Sequence, residues 1–300
     1  MPPLAASPHI HWLPDPAVLA PLALMAALYV WRFPRARREE ARAGRGTGAP
    51  RERWAGAPEL AGRGAGMLQA LAFTGALLAL LAALASPIDG LGEDYLFSAH
   101  MLQHVLLGDI APLLLLLSLS RVILRPLTRR LRALERALGP FAHPLTGLGV
   151  WLAVMYAWHV PALYDAALGH SAVHLLEHAL FFAAGVAVWW PLVQPIPMRR
   201  QLTGMWPLAY IGAAKFGLAA LGLYLTWTSS AIYSYYDHVP RIWGLSPVSD
   251  QNVGGAIMMV EQSLTFVLVL VAIFVRMLAR SEAEELRRER LEQAAGGVRP

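Results

Sequence analysis

Two runs of histidines in the sequence have the spacing of a single helix face. HMLQH contains His100 and His104, and HSAVHLLEH contains His170, His174 and His178. Residues four apart on a helix lie one turn above each other, with Cβ atoms about 5 to 6 Å apart. Two such runs that face each other could enclose a metal ion, because neutral imidazole nitrogens bind copper, zinc, nickel and iron.

Four further side chains could complete a metal site. Glu177 lies within the second histidine run and could bind the metal or orient a histidine. His159 ends another apolar segment, and the thioethers of Met101 and Met258 could add soft ligands. The predicted metal-site residues are therefore His100, His104, His159, His170, His174, His178, Glu177, Met101 and Met258.

The available ligand types favour copper, with zinc as the alternative. The chain contains no cysteine, which excludes disulfides, thiolate metal sites and iron–sulfur clusters. Imidazole combined with thioether suits copper, above all Cu(I). Each histidine taken alone could instead be a hydrogen-bonded structural residue, and each methionine a packing residue. The metal site is favoured by the shared depth of histidines on several helices.

The elements that must position these residues are membrane-spanning helices. The 300 residues are 56% hydrophobic and 15% charged, whereas soluble domains carry roughly 25% charged residues. Apolar segments of about 20 residues can cross a hydrocarbon core about 30 Å thick, and in lipid they must be helical to pair their backbone groups. We place the spans at 17–33, 66–85, 95–119, 144–160, 170–192, 205–229 and 252–278.

The expected fold is an all-α polytopic membrane bundle of seven transmembrane helices. Arginines concentrate between the first two spans and in the C-terminal tail, and positively charged loops stay in the cytoplasm. We therefore expect the N-terminus outside, the C-terminus inside, and both histidine runs near the outer surface of the cell inner (plasma) membrane. The expected parts are an outer tail at 1–16, one membrane domain at 17–280 with a basic cytoplasmic linker at 34–65, and a charged cytoplasmic tail at 281–300.

Charged and polar residues inside or beside the spans need separate explanations. Asp109, Lys215 and Glu261 fall near the middle of three spans. Pairing Lys215 with Asp109 or Glu261 would lower the cost of burying each charge, and this structural pair is the favoured interpretation over a proton or ion path. At the start of the last span, Asp250 or Asn252 is expected to cap the helix.

Several motifs also occur in a fixed order between about Phe97 and Met259. They are HMLQH, HPL, WHVPALYD, HSAVHLLEH and SDQNVGG. This series resembles the CtaG family of bacterial cytochrome c oxidase assembly proteins. The resemblance implies a seven-span membrane protein that helps to assemble haem–copper oxidases at the copper step. The family positions fall here on His100, His104, His143, His159, His170, His174 and His178, together with Asp165, Asp250 and Gln251.

The resemblance and the ligand pattern together predict an assembly factor or metallochaperone that is not an enzyme. It is expected to bind copper at the histidine cluster and to pass the copper to an oxidase subunit. The expected partners are that subunit, an extracytoplasmic copper donor and the lipid bilayer. Nucleic acid is not expected, because the basic residues serve membrane orientation.

Three other classes of protein remain open at this stage. A zinc-dependent membrane hydrolase could use three histidines and a carboxylate such as Glu177. A copper transporter would need a polar path inward, for which Asp109, Lys215 and Glu261 are the candidates. A haem cytochrome is less suited, because histidines four apart on one helix do not reach opposite faces of one haem.

Overall fold

The structure is a computed structural model that describes residues 12, 15–46 and 64–296 of the chain. Within these residues all regular secondary structure is helical, which confirms the predicted all-α class. The predicted outer-tail residues His9 and His11, and residues 47–63 of the predicted linker, lie outside the described residues. We number the helices in chain order as α1 (Pro16–Gly46), α2 (Met67–Leu84), α3 (Pro87–Asp94), α4 (Phe97–Ser118), α5 (Thr128–Leu138), α6 (Pro144–Trp158), α7 (Pro161–Gly169), α8 (Ser171–Val193), α9 (Trp206–Trp227) and α10 (Pro247–Gly296).

Six of the described helices are long and apolar enough to cross a membrane, and a seventh span results if one bent pair counts as a single span. The bent pair joins Thr128–Ala142 to α6 at an angle of 75°. Each predicted span from 66 to 229 lies within a few residues of an observed helix. The side of the membrane on which each terminus lies remains a prediction.

The first helix continues beyond the predicted end of its span at residue 33. Its continuation through Gly46 carries it into the predicted linker. Arg32 and Glu39, two turns apart, form paired hydrogen bonds of 2.8 and 3.1 Å, and Arg32 also donates to the carbonyl of Ile123 at 3.0 Å. These contacts hold the helix together past Pro34. At the other end of the chain, the predicted charged tail continues α10 as one helix up to residue 296, the last that the structure describes.

Four helices meet at a buried ion pair near the middle of the bundle. A π-helical turn at Leu106–Ile110 interrupts α4, just before Pro112, which has no N–H to donate. This turn carries Asp109, which accepts a hydrogen bond from Trp189 Nε1 at 2.5 Å and contacts the Lys215 ammonium. Lys215 Nζ also lies 3.6 Å from Glu261 Oε1. The predicted pairing of Lys215 is confirmed.

Asp250 caps a helix other than the predicted one. It lies inside the first turn of α10, and its carboxylate accepts from the backbone N–H groups of Phe97 at 2.6 Å and Ser98 at 3.1 Å. These N–H groups open α4, where Leu96 offers no capping side chain. Ser246 provides a side-chain acceptor for α10 instead, 3.1 Å from Ser249 N. The sequence prediction was wrong because it considered only the helix on which Asp250 lies.

Asn252, the other predicted cap, also has a different role. Its amide group lies among the carbonyl oxygens of Leu225, Val248 and Thr228, at the junction of α9 and α10.

Nearby, a Cβ atom at Gly254 would lie 2.5 Å from the Phe97 ring, so a glycine here allows α10 to pack closely against α4. The start of the first histidine helix is thus fixed by α10.

Replacing Asp250 should loosen the start of α4. Asp250→Ala removes the acceptor for two backbone N–H groups and should lower the free energy of unfolding by about 0.5 to 2 kcal/mol. Asp250→Asn keeps one acceptor oxygen and should lose less. Thermal unfolding of detergent-purified protein measures the difference, and equal midpoints for Asp250→Ala and the wild type would contradict this capping role.

Removing one partner of the buried ion pair should destabilise the protein more strongly. Lys215→Met leaves Asp109 and Glu261 without their cation and should cost about 3 to 5 kcal/mol. The double variant Asp109→Asn with Lys215→Met removes charges of both signs and should recover part of that loss. Glu284→Gln, at an exposed position of α10, is the control and should leave the unfolding midpoint unchanged. A double variant less stable than Lys215→Met would argue against pairing as the stabilising interaction.

Candidate metal centre

The first histidine run lies on α4 and the second on α8, and the two helices bring them face to face. His100, His174, Glu177 and His178 each offer one ligand atom, and these atoms lie within 4.8 Å of one another. All four residues are buried. We call this group the His–Glu centre. The sequence prediction that the two runs converge is confirmed for these residues.

A buried carboxylate lies at the middle of the His–Glu centre. Glu177 is fully buried, and neither of its carboxylate oxygens has a hydrogen-bond partner among the described residues. The nearest imidazole nitrogens are His104 Nε2, 3.5 Å from Oε1, and His100 Nε2, 3.7 Å from Oε2. Burying a carboxylate without compensation costs several kcal/mol or more. A cation held among these side chains would supply the missing compensation.

The imidazole nitrogens around this carboxylate are suited to metal binding. His174 Nε2 and His178 Nε2 are buried and have no hydrogen-bond partner within the described part of the chain. His174 Nδ1 lies 2.6 Å from Glu93 Oε1. An N–H donated from Nδ1 to this carboxylate leaves a lone pair on His174 Nε2. Metal-binding histidines in proteins are commonly oriented by a carboxylate in this way.

Helix α3 places Glu93 beside this histidine. A Cβ atom at Gly92 would lie 3.0 Å from the backbone of His100, so the absence of a side chain lets α3 pack directly on α4. Gln103, from the first histidine motif, donates to the Ala83 carbonyl at 2.9 Å and to Asp89 at 2.5 Å. These bonds connect α4 to the end of α2 and to α3. Glu93 keeps a side-chain exposure of 41% and so connects the buried centre to the surface.

The segment between α9 and α10 covers the centre. The Tyr236 hydroxyl donates to the Gly92 carbonyl at 2.7 Å and lies 3.4 Å from His100 Nδ1 and 3.1 Å from the Tyr164 hydroxyl. Burial raises the pKa of Tyr236 well above its ordinary value, so the hydroxyl keeps its proton. Asp165 accepts from Ser234 at 2.7 Å and anchors the same segment.

Some predicted site residues lie outside the His–Glu centre. His170 is exposed and does not join it, because α8 begins at Ser171 and His170 has extended backbone with φ −142°. Met101, Met258 and His159 are buried but line a neighbouring cavity, which His104 also lines.

Two further family positions have structural contacts. His143 Nδ1 accepts from Leu145 N at 3.2 Å and caps α6. Gln251 accepts from Ile232 N at 2.7 Å and so helps to hold the covering segment.

Two residues at the centre were missed by the sequence reasoning. Glu93 occurs in an acidic stretch directly before the first histidine run, which was the available signal. Tyr236 lies in the aromatic stretch directly before α10. Both reach the centre only through contacts between elements distant in sequence.

Comparison with known proteins assigns the chain to a family. A model of the cytochrome c oxidase caa3 assembly factor family matches residues 45–280, well over half of the chain. The chain belongs to this family. The predicted family resemblance is therefore confirmed, and the assembly-factor description agrees with the expectation of a protein that is not an enzyme. Together with the apolar helices, it identifies a multi-pass membrane protein.

Curated relatives of this chain occur in mycobacteria. An uncharacterized protein of Mycobacterium leprae is 26% identical over 220 residues, which is 65% of this chain and 32% of the relative. An uncharacterized protein of Mycobacterium bovis is 25% identical over 203 residues, which is 59% of this chain and 29% of the relative. The chain thus spans about a third of the length of the curated relatives it matches. No solved structure matches it significantly.

Metal affinity should depend on Glu93 although it is absent from the His–Glu centre itself. Glu93→Ala removes the acceptor that orients His174 and should weaken binding of Cu(I) to the purified protein about 10- to 100-fold. Asp94→Asn, at an exposed position on the same helix, is the matched control and should bind like the wild type. Competition titration with a Cu(I) chelator measures both. Equal affinities for Glu93→Ala and the control would rule out the orienting role.

Proposed function

We propose that this caa3 assembly factor binds copper at the His–Glu centre and passes it to a subunit of cytochrome c oxidase. The observation that carries the proposal is the buried Glu177 carboxylate, which has imidazoles around it and no hydrogen-bond partner among the described residues. Copper is the cargo of the protein in this proposal and not a resident cofactor.

The ligand types support copper as the metal. His100, His174 and His178 supply imidazoles, which bind late first-row metals tightly. Zinc shares this preference, so the imidazoles alone do not separate the two metals. Copper is favoured over zinc by the family's link to cytochrome c oxidase assembly and by the motif resemblance, which implies the copper step of that assembly.

The position of the centre supports delivery of copper to a partner. The half-exposed Glu93 offers an entry point at the surface, through which an extracytoplasmic copper donor could supply the ion. Transfer onward would exchange one imidazole at a time between this chain and the histidines of the acceptor subunit. Such an exchange requires a site of moderate affinity, and a ligand set drawn from only two helices, α4 and α8, can open without unfolding the bundle.

The proposal is tested by removing two ligands together. His174→Ala with His178→Ala should remove the copper bound at the His–Glu centre of the purified protein, and the oxidase from cells carrying this variant should lack copper. His170→Ala, exposed on the same histidine run, is the matched control and should leave both values at the wild-type level. Elemental analysis of both proteins after exposure to Cu(I) and Zn(II) gives the measurement.

Three outcomes would overturn the proposal. The first is normal copper in the oxidase of cells carrying the double variant. The second is binding of Zn(II) but no Cu(I) by the wild type, together with hydrolysis of a lipid ester or amide, which would instead favour the zinc hydrolase. The third is a loss of copper from the whole cell, and not from the oxidase alone, which would favour a copper transporter.

A further inference from the structure

A second group of metal-binding side chains surrounds a cavity beside the His–Glu centre. The cavity can hold a particle the size of a water molecule. The residues that line it include two histidines and three methionines: His104, His159, Met101, Met155 and Met258. All five side chains are buried, with the methionines between 0% and 4% exposed. We call this cavity the thioether chamber.

The hydrogen bond of His159 leaves one ring nitrogen free for a ligand. Its Nδ1 lies 2.6 Å from the Met155 carbonyl oxygen, an acceptor, so Nδ1 carries the proton. A neutral imidazole then has its lone pair on Nε2. This atom is buried and has no hydrogen-bond partner in the described part of the chain.

A chain of hydrogen bonds fixes His104 in the corresponding state. Tyr236 donates its proton to the Gly92 carbonyl and therefore accepts from His100 Nδ1. The lone pair of His100 is then on Nε2, which lies 2.7 Å from His104 Nε2 and accepts the proton carried there. The lone pair of His104 is consequently on Nδ1, which is buried and also lacks a partner among the described residues.

The methionines of the chamber differ from the neighbouring Met259. The Met259 sulfur lies 3.8 Å from the Thr226 hydroxyl, which gives it a weak hydrogen bond on a different side of α10. Buried methionines alone are ordinary packing residues. Two unpartnered imidazole lone pairs beside three thioethers are a costly arrangement for packing alone, because each buried acceptor without a partner costs about 1 to 3 kcal/mol.

We propose that the thioether chamber is a second metal site, which takes Cu(I) from the His–Glu centre through His104. This inference rests on the proposed function for the source of the metal, whereas the chamber's own ligands define which ion it accepts. Thioether sulfur is a soft ligand that selects Cu(I) and disfavours zinc. The chamber would therefore hold a monovalent soft ion in a largely neutral ligand set.

His104 lies between the two sites. Its Nε2 faces the His–Glu centre, 3.5 Å from Glu177, while the residue also lines the thioether chamber. A neutral imidazole has only one lone pair, so His104 can bind a metal ion at one site at a time. Passage of the ion through His104 is therefore sequential.

The charges at the far side of the chamber suit a monovalent ion. Asp109 and Glu261 also line the cavity, and the single cation they contact is Lys215 among the described residues. The Asp109–Lys215 ion pair carries no net charge, so a divalent ion would bring more uncompensated positive charge into this apolar interior than Cu(I) would.

The test compares two double variants of the full chain with Cu(I) and with Ag(I), a soft ion that does not change oxidation state. Met155→Leu with Met258→Leu conserves side-chain volume while removing two sulfur atoms. Met259→Leu is the matched control. X-ray absorption at the copper or silver edge of anaerobic, detergent-purified protein reports sulfur in the coordination shell, and elemental analysis reports the amount of metal.

The expected results distinguish the chamber from the His–Glu centre. The wild type and Met259→Leu should bind a second equivalent of Cu(I) with sulfur ligation, and Met155→Leu with Met258→Leu should lose that equivalent and the sulfur signal. His174→Ala with His178→Ala should lose the equivalent bound by nitrogen and oxygen alone, yet still bind Ag(I) through sulfur.

Two results would overturn the proposal that the thioether chamber is a metal site. The first is an absence of sulfur ligation in the wild type, a measurement that does not depend on any variant folding. The second is an unchanged sulfur signal in Met155→Leu with Met258→Leu. Either result leaves the His–Glu centre standing if the wild type still binds copper that His174→Ala with His178→Ala cannot bind. Conversely, sulfur-bound metal in a wild type that shows no nitrogen- and oxygen-bound copper would support the chamber and overturn the proposed function.

Discussion

A carboxylate buried without a hydrogen-bond partner among the described residues, that of Glu177, sets the demands on the surrounding structure. The imidazoles of His100 and His104 lie 3.7 and 3.5 Å from its oxygens, close enough for electrostatic attraction but too far for good hydrogen bonds. The protein therefore keeps a negative charge and several lone pairs together in an apolar bundle. Burying such a group is costly unless something compensates it, and a metal cation bound as proposed would do so with the ligands already in place.

The surrounding helices hold this arrangement through a helix cap and through close packing at glycines. Asp250 fixes the start of α4, and Gly254 lets α10 lie directly against the Phe97 ring there. Gly92 does the same for α3 at His100. These contacts set the height of the first histidine run against the second. A shift of α4 by one residue would turn His100 away from α8, because successive helical residues point about 100° apart.

Sequence reasoning identified the parts of the site that depend on local periodicity. The histidine spacing predicted that His174 and His178 share one face of α8, which His100 on α4 could face. The hydropathy pattern predicted most helix ends. It could not supply contacts between distant segments. Glu93 reaches His174 only because α3 packs across α4, and Asp250 caps a helix more than a hundred residues earlier in the chain.

Two other outcomes follow from the same limit of sequence reasoning. His170 has the spacing of the second histidine run, but α8 starts one residue after it, so His170 does not share the helix face of His174 and His178. Met155 was not recognised, although His159 lies four residues after it in the sequence. Both depend on where a helix begins or which of its faces meets a neighbour.

The two groups of ligands differ in a way that would select the metal as well as hold it. The His–Glu centre contains imidazoles and a carboxylate, a set that binds Zn(II) as well as copper. The thioether chamber adds sulfur, which favours Cu(I), and the Asp109 carboxylate in its lining is paired with Lys215. Specificity is a difference between affinities, so a first site with broad affinity gains selectivity when a second site accepts only one of its ions. His104 would connect the two steps, since its single lone pair commits the residue to one site before the other can use it.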